Sequence, residues 1–369
     1  MANFFNHQFF ANPFYKTYAT DREDLETMVL LDNHRKIKTQ VLMNIKQPIR
    51  ILLCGERGIG KSLAMLYIKK EIEEQHDPKI IIFESTGLDA SFSSLRVFIQ
   101  KLNYKVYQKI DIEEMEKTII HSDSVYEKAK KLDEYIADIR VVLFIDVPDA
   151  ESRYKHFDTL AEILDVLLCT KQVTIIFSLN TEQMKKFGKS SSILNKFSEI
   201  PLRKLDFEEA KSMIEKRLQK FRENGSTGTH PFTDDTIMLV QDMTIGLPRA
   251  ILKSCERLFI ESDETNKTEI NKEFAMPILN KHYAEDLIIM NESDLTLRSQ
   301  FFKICSVLKN KYGGKCEKKM TLIRDIMGAI NVSEPCAIDK LRKLEGWGVL
   351  SVARDEGNMK AKTVFLRAR

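Results

Sequence analysis

The stretch Ile51–Ser62, ILLCGERGIGKS, limits what this chain can fold into more than any other. An apolar β-type run, Ile51-Leu52-Leu53, enters a glycine-rich turn, and Lys61-Ser62 open a helical pattern. Gly55, Gly60, Lys61 and Ser62 fit the spacing G-x-x-x-x-G-K-[ST] in the strand–loop–helix setting that the spacing requires. Glycines let successive backbone N–H groups turn inward around a polyphosphate, and a helix N-terminus adds partial positive charge. The Lys61 ammonium reaches the terminal phosphates, and the Ser62 hydroxyl suits a magnesium ion. The expected cradle is Gly55, Glu56, Arg57, Gly58, Ile59, Gly60, Lys61, Ser62 and Leu63. The stretch predicts a chain that binds a nucleoside triphosphate.

The rest of the first half agrees. Apolar runs at Lys79–Phe83, Arg140–Asp146 (RVVLFID) and Gln172–Leu179 alternate with helical patterns at Leu63–Gln75, Ser91–Leu102, Ile112–Ala137 and His156–Leu168. A short strand is expected near Glu199–Leu202. Continuous apolar strands suit a parallel sheet covered on both faces. Their alternation with helices predicts a doubly wound α/β layer ending near residue 204. Asp21–Gln47 reads helical. The first twenty residues carry Phe4, Phe5, Phe9, Phe10, Phe14, Tyr15 and Tyr18, too much apolar surface to stay solvated, so this segment is expected to dock on the body of the protein.

From Asp206 the pattern is helical only: Asp206–Glu223, Asp234–Thr244, Pro248–Glu261 and Lys267–Leu287. The 369 residues are too many for one compact unit. Six cysteines form no C-x-x-C pair, and Cys54 and Cys169 sit in apolar runs that read as core, so reduced thiols are expected. The N-terminus lacks the basic region and cleavage site of a signal peptide, and no apolar run is long enough to span a bilayer. A cytoplasmic protein without membrane contact is expected.

Three further residues are candidates for nucleotide chemistry. Asp146 ends a buried strand well downstream of Lys61, where a carboxylate would hold Mg²⁺; the plainer reading is a strand-ending Asp that caps a turn. Asn180 ends VTIIFSLN, where a polar tip would orient water or contact the γ-phosphate; otherwise it is an ordinary strand-to-turn Asn. Arg249, in Gly246-Leu247-Pro248-Arg249, begins a helix and could reach back to the γ-phosphate; otherwise it is surface.

Phosphate loop, Asp-ended strand, Asn-tipped strand and helical G-x-P-R together resemble an AAA+ ATPase. The text LRKLDFEEAKSMIEKRL…PFTDDTIMLVQDMTIGLPRAILKSCERL and the N-terminal NPFY…DREDLE are similar to the origin-recognition and helicase-loader branch, particularly the archaeal initiators. The resemblance spans about residues 12–282. It implies ATP/ADP and Mg²⁺ bound between an α/β domain and a helical lid, with Asn180 as sensor 1 and Arg249 as sensor 2. Two departures stand out. The Glu that usually follows the metal-binding Asp is Val147 here, which cannot accept a proton, leaving Asp149, Glu151 or Glu84 as substitutes. The expected Arg-Phe is Lys196-Phe197, and Lys lacks the planar fork of Arg; Arg203 is a spare.

Residues 300–369 carry fifteen Lys/Arg against seven Asp/Glu. Helices at Leu295–Lys311, Met320–Ala329 and Ser333–Glu345, then strands flanking Asp355-Glu356-Gly357-Asn358, predict a winged helix-turn-helix. Its third helix would offer Lys340, Arg342 and Lys343 to DNA, and its wing Arg354, Lys360 and Lys362. Winged helices also dock proteins, and scattered lysines also serve solubility.

The expected architecture is an AAA+ P-loop α/β domain (1–204), a helical lid (205–290) and a winged-helix domain (291–369). The expected function is an ATP-dependent DNA-binding switch in replication, with duplex DNA as partner, weak ATPase activity, and an AAA+ oligomer or helicase-like protein as further partners. The alternatives are an AAA+ regulator of transposition or secretion, and a signalling ATPase whose winged helix docks protein.

Overall fold

Strands β1 (Arg50–Gly55), β3 (Arg140–Asp146) and β4 (Val173–Asn180) are buried through their centres on both faces. That explains their unbroken apolar sequence. The computed structural model describes residues 9, 11–14, 25, 32–43, 47–85, 94–105, 116–137, 139–147, 157–190, 192–222, 226–292, 295–355 and 358–366. The chain divides into two units, Tyr18–Lys204 and Met1–Thr17 with Leu205–Arg369.

The first unit is a five-stranded parallel sheet in the order β2 (Ile80–Ser85), β3, β4, β1, β5 (Ser198–Pro201). The chain leaves β1 and skips two strands before β2, so the loop after β1 lies where the strand order reverses, the usual ligand position in open α/β sheets. Helices α1 (Asp32–Met43), α2 (Lys61–Glu73), α3 (Leu95–Lys105), α4 (Val125–Ile136), α5 (Phe157–Cys169) and α6 (Thr181–Ser190) belong to this layer. Phe98, Leu132, Leu143, Leu164 and Phe177 share one buried core.

Three local differences from expectation have physical causes. The helix expected over Ile112–Ala137 is broken. A π-helical turn at Glu116–Ile120 ends before Ser124, whose side chain accepts from Glu127 N and starts α4. The segment Thr181–Ser190, TEQMKKFGKS, forms α6, although its polar sequence gave no helix signal. Cys54 is buried, but Cys169 closes α5 and is exposed; all six cysteines are free.

The second unit opens with α7 (Phe207–Phe221), capped by a reciprocal pair in which Asp206 accepts from Glu209 N and Glu209 accepts from Asp206 N. α8 (Asp234–Thr244) follows a Thr233 cap, and α9 (Pro248–Glu264) starts with Pro at its first position. α10 (Lys272–Asn291) leads into α11 (Leu295–Tyr312), α12 (Lys319–Ile330) and α13 (Glu334–Gly346). The strands β6 (Lys315–Cys316), β7 (Leu350–Asp355) and β8 (Asn358–Leu366) form an antiparallel sheet in the order β6-β8-β7. Strand β6 was not foreseen. Phe301 packs edge-on to Trp347 at 4.7 Å, and Leu308, Ile326, Leu344 and Val364 are buried with it. On α11, Phe302 and Cys305 are only half-buried.

The described part of the N-terminal segment belongs to this second unit, not to the α/β domain to which the reading of 1–204 assigned it. Phe9 bridges antiparallel to Arg222 and meets Phe259 at 5.3 Å; Phe14 meets Phe232 at 5.6 Å. These rings find an apolar seat against α9 and the α7–α8 connection. Phe4, Phe5, Phe10, Tyr15 and Tyr18 lie outside the described residues.

Candidate functional site

The loop after β1 has three glycines at positive φ: Gly55 (+150°), Gly58 (+81°) and Gly60 (+101°). At Gly55 a Cβ would also lie 3.2 Å from Ile59 Cγ2 and 3.2 Å from the Leu202 carbonyl oxygen. At Gly60 nothing lies within 4 Å of that point, so only the backbone angle demands glycine there. Ile59 turns inward and is buried. α2 then starts from Gly60 with no side-chain cap. This leaves a helix N-terminus suited to an anion, beside an open backbone cradle.

Two side chains define the mouth of this loop. Lys61 Nζ donates to the carbonyl oxygens of Gly55 (3.1 Å) and Glu56 (3.0 Å). Ser62 Oγ donates to Asp146 Oδ2 at 2.6 Å. Residues far apart in the chain thus meet because β3 and β1 both flank β4, and their carboxyl ends fall on one edge. A hydroxyl and a carboxylate side by side are the donor set that an octahedral, oxygen-seeking Mg²⁺ takes. The Glu56 carboxylate is held by Lys204 at 2.9 Å. Burial pushes the Cys54 thiol above its usual range, and the nearby Glu199 charge adds to this; the residue is part of the wall, not a nucleophile.

Asn180 pairs with Gly55 across β1 and β4, which places it beside the loop. Its Oδ1 accepts from Gln183 N (2.8 Å), while Gln183 Oε1 accepts from Asn180 N (2.7 Å). Gln183 Nε2 also donates to the Val147 carbonyl at 3.1 Å. The Asn180 oxygen is therefore occupied in capping α6. Gln183, 1% exposed, ties the tip of β4 to the residue after Asp146. Sequence reading missed Gln183; the N-x-x-Q spacing of a reciprocal cap was the available signal.

Val147, the position for which the resemblance implies Glu, is buried. Glu84 is ion-paired with Lys69; Asp149 and Glu151 lie outside the described residues. Lys196 is held by Asp165 at 2.8 Å. Arg203 is exposed and donates to the Lys204 carbonyl at 3.3 Å. Arg249 sits at the second position of α9 in the other unit, half-exposed, after a turn in which Ile245 and Gly246 take φ +54° and +70°.

One DNA candidate is corrected. Lys340 does not face outward: it is 6% exposed, with its ammonium 5.2 Å from the centre of the Phe301 ring. Its long stem lies along the core side of α13 beside Ala337, Leu341 and Leu344. Arg342 is exposed, and Lys343 pairs with Asp339 at 3.8 Å. Arg354, Lys360 and Lys362 fall on β7 and β8; their side chains lie outside those described.

No protein-family model matches the sequence, and no curated protein matches it. Among solved structures, the ORC1 protein of Aeropyrum pernix in complex with DNA is similar over 96% of this chain and 91% of its own, at 12% identity and a TM-score of 0.50. The ORC2 protein of Aeropyrum pernix, solved as ADPNP–ADP complexes, is similar over 96% and 93%, at 11% identity and a TM-score of 0.51. Strand order, glycine loop and structural likeness agree: the chain has the AAA+ P-loop fold.

Proposed function

We propose that this chain is an ATP-dependent DNA-binding switch of the AAA+ initiator type. The observation that carries the reading is the Ser62–Asp146 contact at the mouth of the glycine loop, 2.6 Å long and built from residues 84 apart. Residues 1–204 serve as the nucleotide-binding domain, 205–290 as lid and 291–369 as a winged-helix DNA-binding domain, with the described N-terminal aromatics joining the lid side. Backbone N–H groups from Gly55 to Leu63 cradle the phosphates of ATP or ADP, and Lys61 neutralises their charge. Ser62 and Asp146 hold Mg²⁺, which when bound spreads the charge of the β- and γ-phosphates. The Asn180–Gln183 pair fixes the strand tip beside them. Arg249 of the lid senses the γ-phosphate.

Turnover is slow in this reading. Val147 cannot take a proton from water, and Glu84 is engaged by Lys69. Binding, more than hydrolysis, then carries the signal to the C-terminal module. The DNA-bound and ADPNP–ADP forms of the two structural neighbours support DNA and adenine nucleotide as the ligands.

The test uses a fluorescent ATP analogue with magnesium, and gel shift of a random duplex with ATP, with ADP and without nucleotide. We expect nucleotide binding that Lys61→Ala weakens, and a DNA shift that depends on nucleotide in the parent only. Absence of adenine-nucleotide affinity, or a Lys61→Ala chain that handles DNA like the parent in every state, overturns the reading.

A further inference from the structure

Among the described side chains of the C-terminal module, exposed positive charge is sparse on the third helix and denser elsewhere. On α13 the exposed charged residues are Glu334, Asp339, Glu345 and Arg342; Lys340 is buried, and Lys343 is half-buried and paired with Asp339. Acid outweighs base on that surface, which repels a polyphosphate backbone.

α12 is different. Leu322, Ile323, Ile326 and Ile330 are buried, while Lys318, Met320, Thr321, Arg324, Gly328 and Ala329 are exposed. The acid of this helix, Asp325, is taken out of play by α11: Lys311 Nζ donates to Oδ1 at 2.6 Å, and the Tyr312 hydroxyl donates to Oδ2. The last turn of α11 adds exposed Lys309, and the connection into α12 adds exposed Lys315, the latter beside Glu317 at 3.3 Å. Lys318 occupies the capping position of α12 without a side-chain cap, which puts its cation at the positive end of that helix. Gly328 has open space where a Cβ would stand, and with Ala329 it leaves the far end of the helix low enough for close approach of another backbone.

We propose that α12 together with the last turn of α11, through Lys309, Lys318 and Arg324, forms the surface that meets the phosphate backbone of duplex DNA, and that α13 does not. The inference rests on the DNA-binding reading above and assigns its surface. Cations spaced along a helix, with a hydroxyl, a methionine and small residues among them, fit a run of phosphates. Contacts to phosphates fix position and carry no sequence information, so binding through Lys309 and Lys318 is sequence-tolerant, and Arg324 is the one planar fork among these residues that could reach a base edge.

The experiment measures anisotropy of a labelled random-sequence duplex against the full chain with ATP and magnesium, over a salt series. One variant carries Lys309→Gln, Lys318→Gln and Arg324→Gln; the other carries Arg342→Gln and Lys343→Gln. Each phosphate contact contributes about 0.9 to the slope of log affinity against log salt. The first variant should lose up to about 2.7 of that slope, and the second should keep the parent's. An unchanged slope in the first variant while the parent binds, or a loss confined to the second, overturns this proposal alone. A parent that binds no duplex in any nucleotide state overturns the DNA reading as well. Polyglutamate that competes as well as duplex at equal charge would overturn it in favour of an acidic protein partner.

Discussion

Gly60 and Gly55 test the loop geometry in a way that separates backbone strain from lack of room. Gly60→Ala introduces a Cβ into open space at φ +101°, so its cost is the conformational term alone, about 1–3 kcal/mol. Gly55→Ala carries a similar term at φ +150° and two contacts of 3.2 Å. One of those is the Leu202 carbonyl. It is not free to retreat, because the Leu202 N–H is bonded to the Cys54 carbonyl at 2.8 Å. Overpacking of this kind adds about 1–3 kcal/mol, so Gly55→Ala should cost roughly 2–6 kcal/mol in total. Urea unfolding followed by far-UV circular dichroism measures the loss. The single tryptophan, Trp347, lies in the other unit and gives an internal control by fluorescence. The expected result is a larger shift for Gly55→Ala than for Gly60→Ala, with the Trp347 transition unmoved in both. Equal shifts, or a larger one for Gly60→Ala, would refute the argument that room matters at Gly55.

Other outcomes follow from single contacts. Asp146→Asn should weaken magnesium-dependent nucleotide binding by roughly 10–100-fold, as expected for loss of a charged ligand or charge-assisted bond, measured by titration with a fluorescent ATP analogue with and without magnesium. Arg222→Ala should destabilise the helical unit by about 2–4 kcal/mol, read from Trp347 fluorescence, because Arg222 is buried, donates to the Ser226 and His230 carbonyls and faces the Phe9 ring. Lys340→Met should leave duplex affinity at the parent's value, since the side chain serves the core; a clear loss in anisotropy would return it to the DNA surface. Lys311 and Tyr312 hold the Asp325 carboxyl below its usual range. Its stabilising contribution is therefore fully present above the ordinary aspartate pKa and is lost as pH falls through the lowered one. Asp325→Asn should remove that acid limb from Trp347-detected unfolding, measured from neutral pH down to about pH 3.

Much of the fold was legible because its strands are apolar on both faces. RVVLFID runs over the full length of β3, and DDTIMLVQDMT over that of α8. What escaped was set by contacts between distant residues. The polar helix α6 exists because Asn180 and Gln183 cap each other at the tip of β4. Two-residue β6 has no periodicity of its own and forms by pairing with β8. The phosphate loop and Asp146 could be named from spacing, and the structure brings Ser62 and Asp146 together. Lys340 could not be placed from charge, because a lysine stem at a helical position one residue before Leu341 fits the core side as readily as the surface. The N-terminal aromatics announced burial but not against which helices.

The aromatic seat of Phe9 and Phe14 also has a consequence for synthesis. Phe9 emerges first from the ribosome, yet its partner Arg222 is made about 210 residues later. At about 5–20 residues per second the delay is about 10–40 s. During that interval the opening segment has no seat of its own, so its exposed rings must be kept from other nascent chains until α7 and α9 are complete. A C-terminal fragment beginning at Leu205 inverts the problem: Phe232 and Phe259 would be made on time and find no rings to cover them.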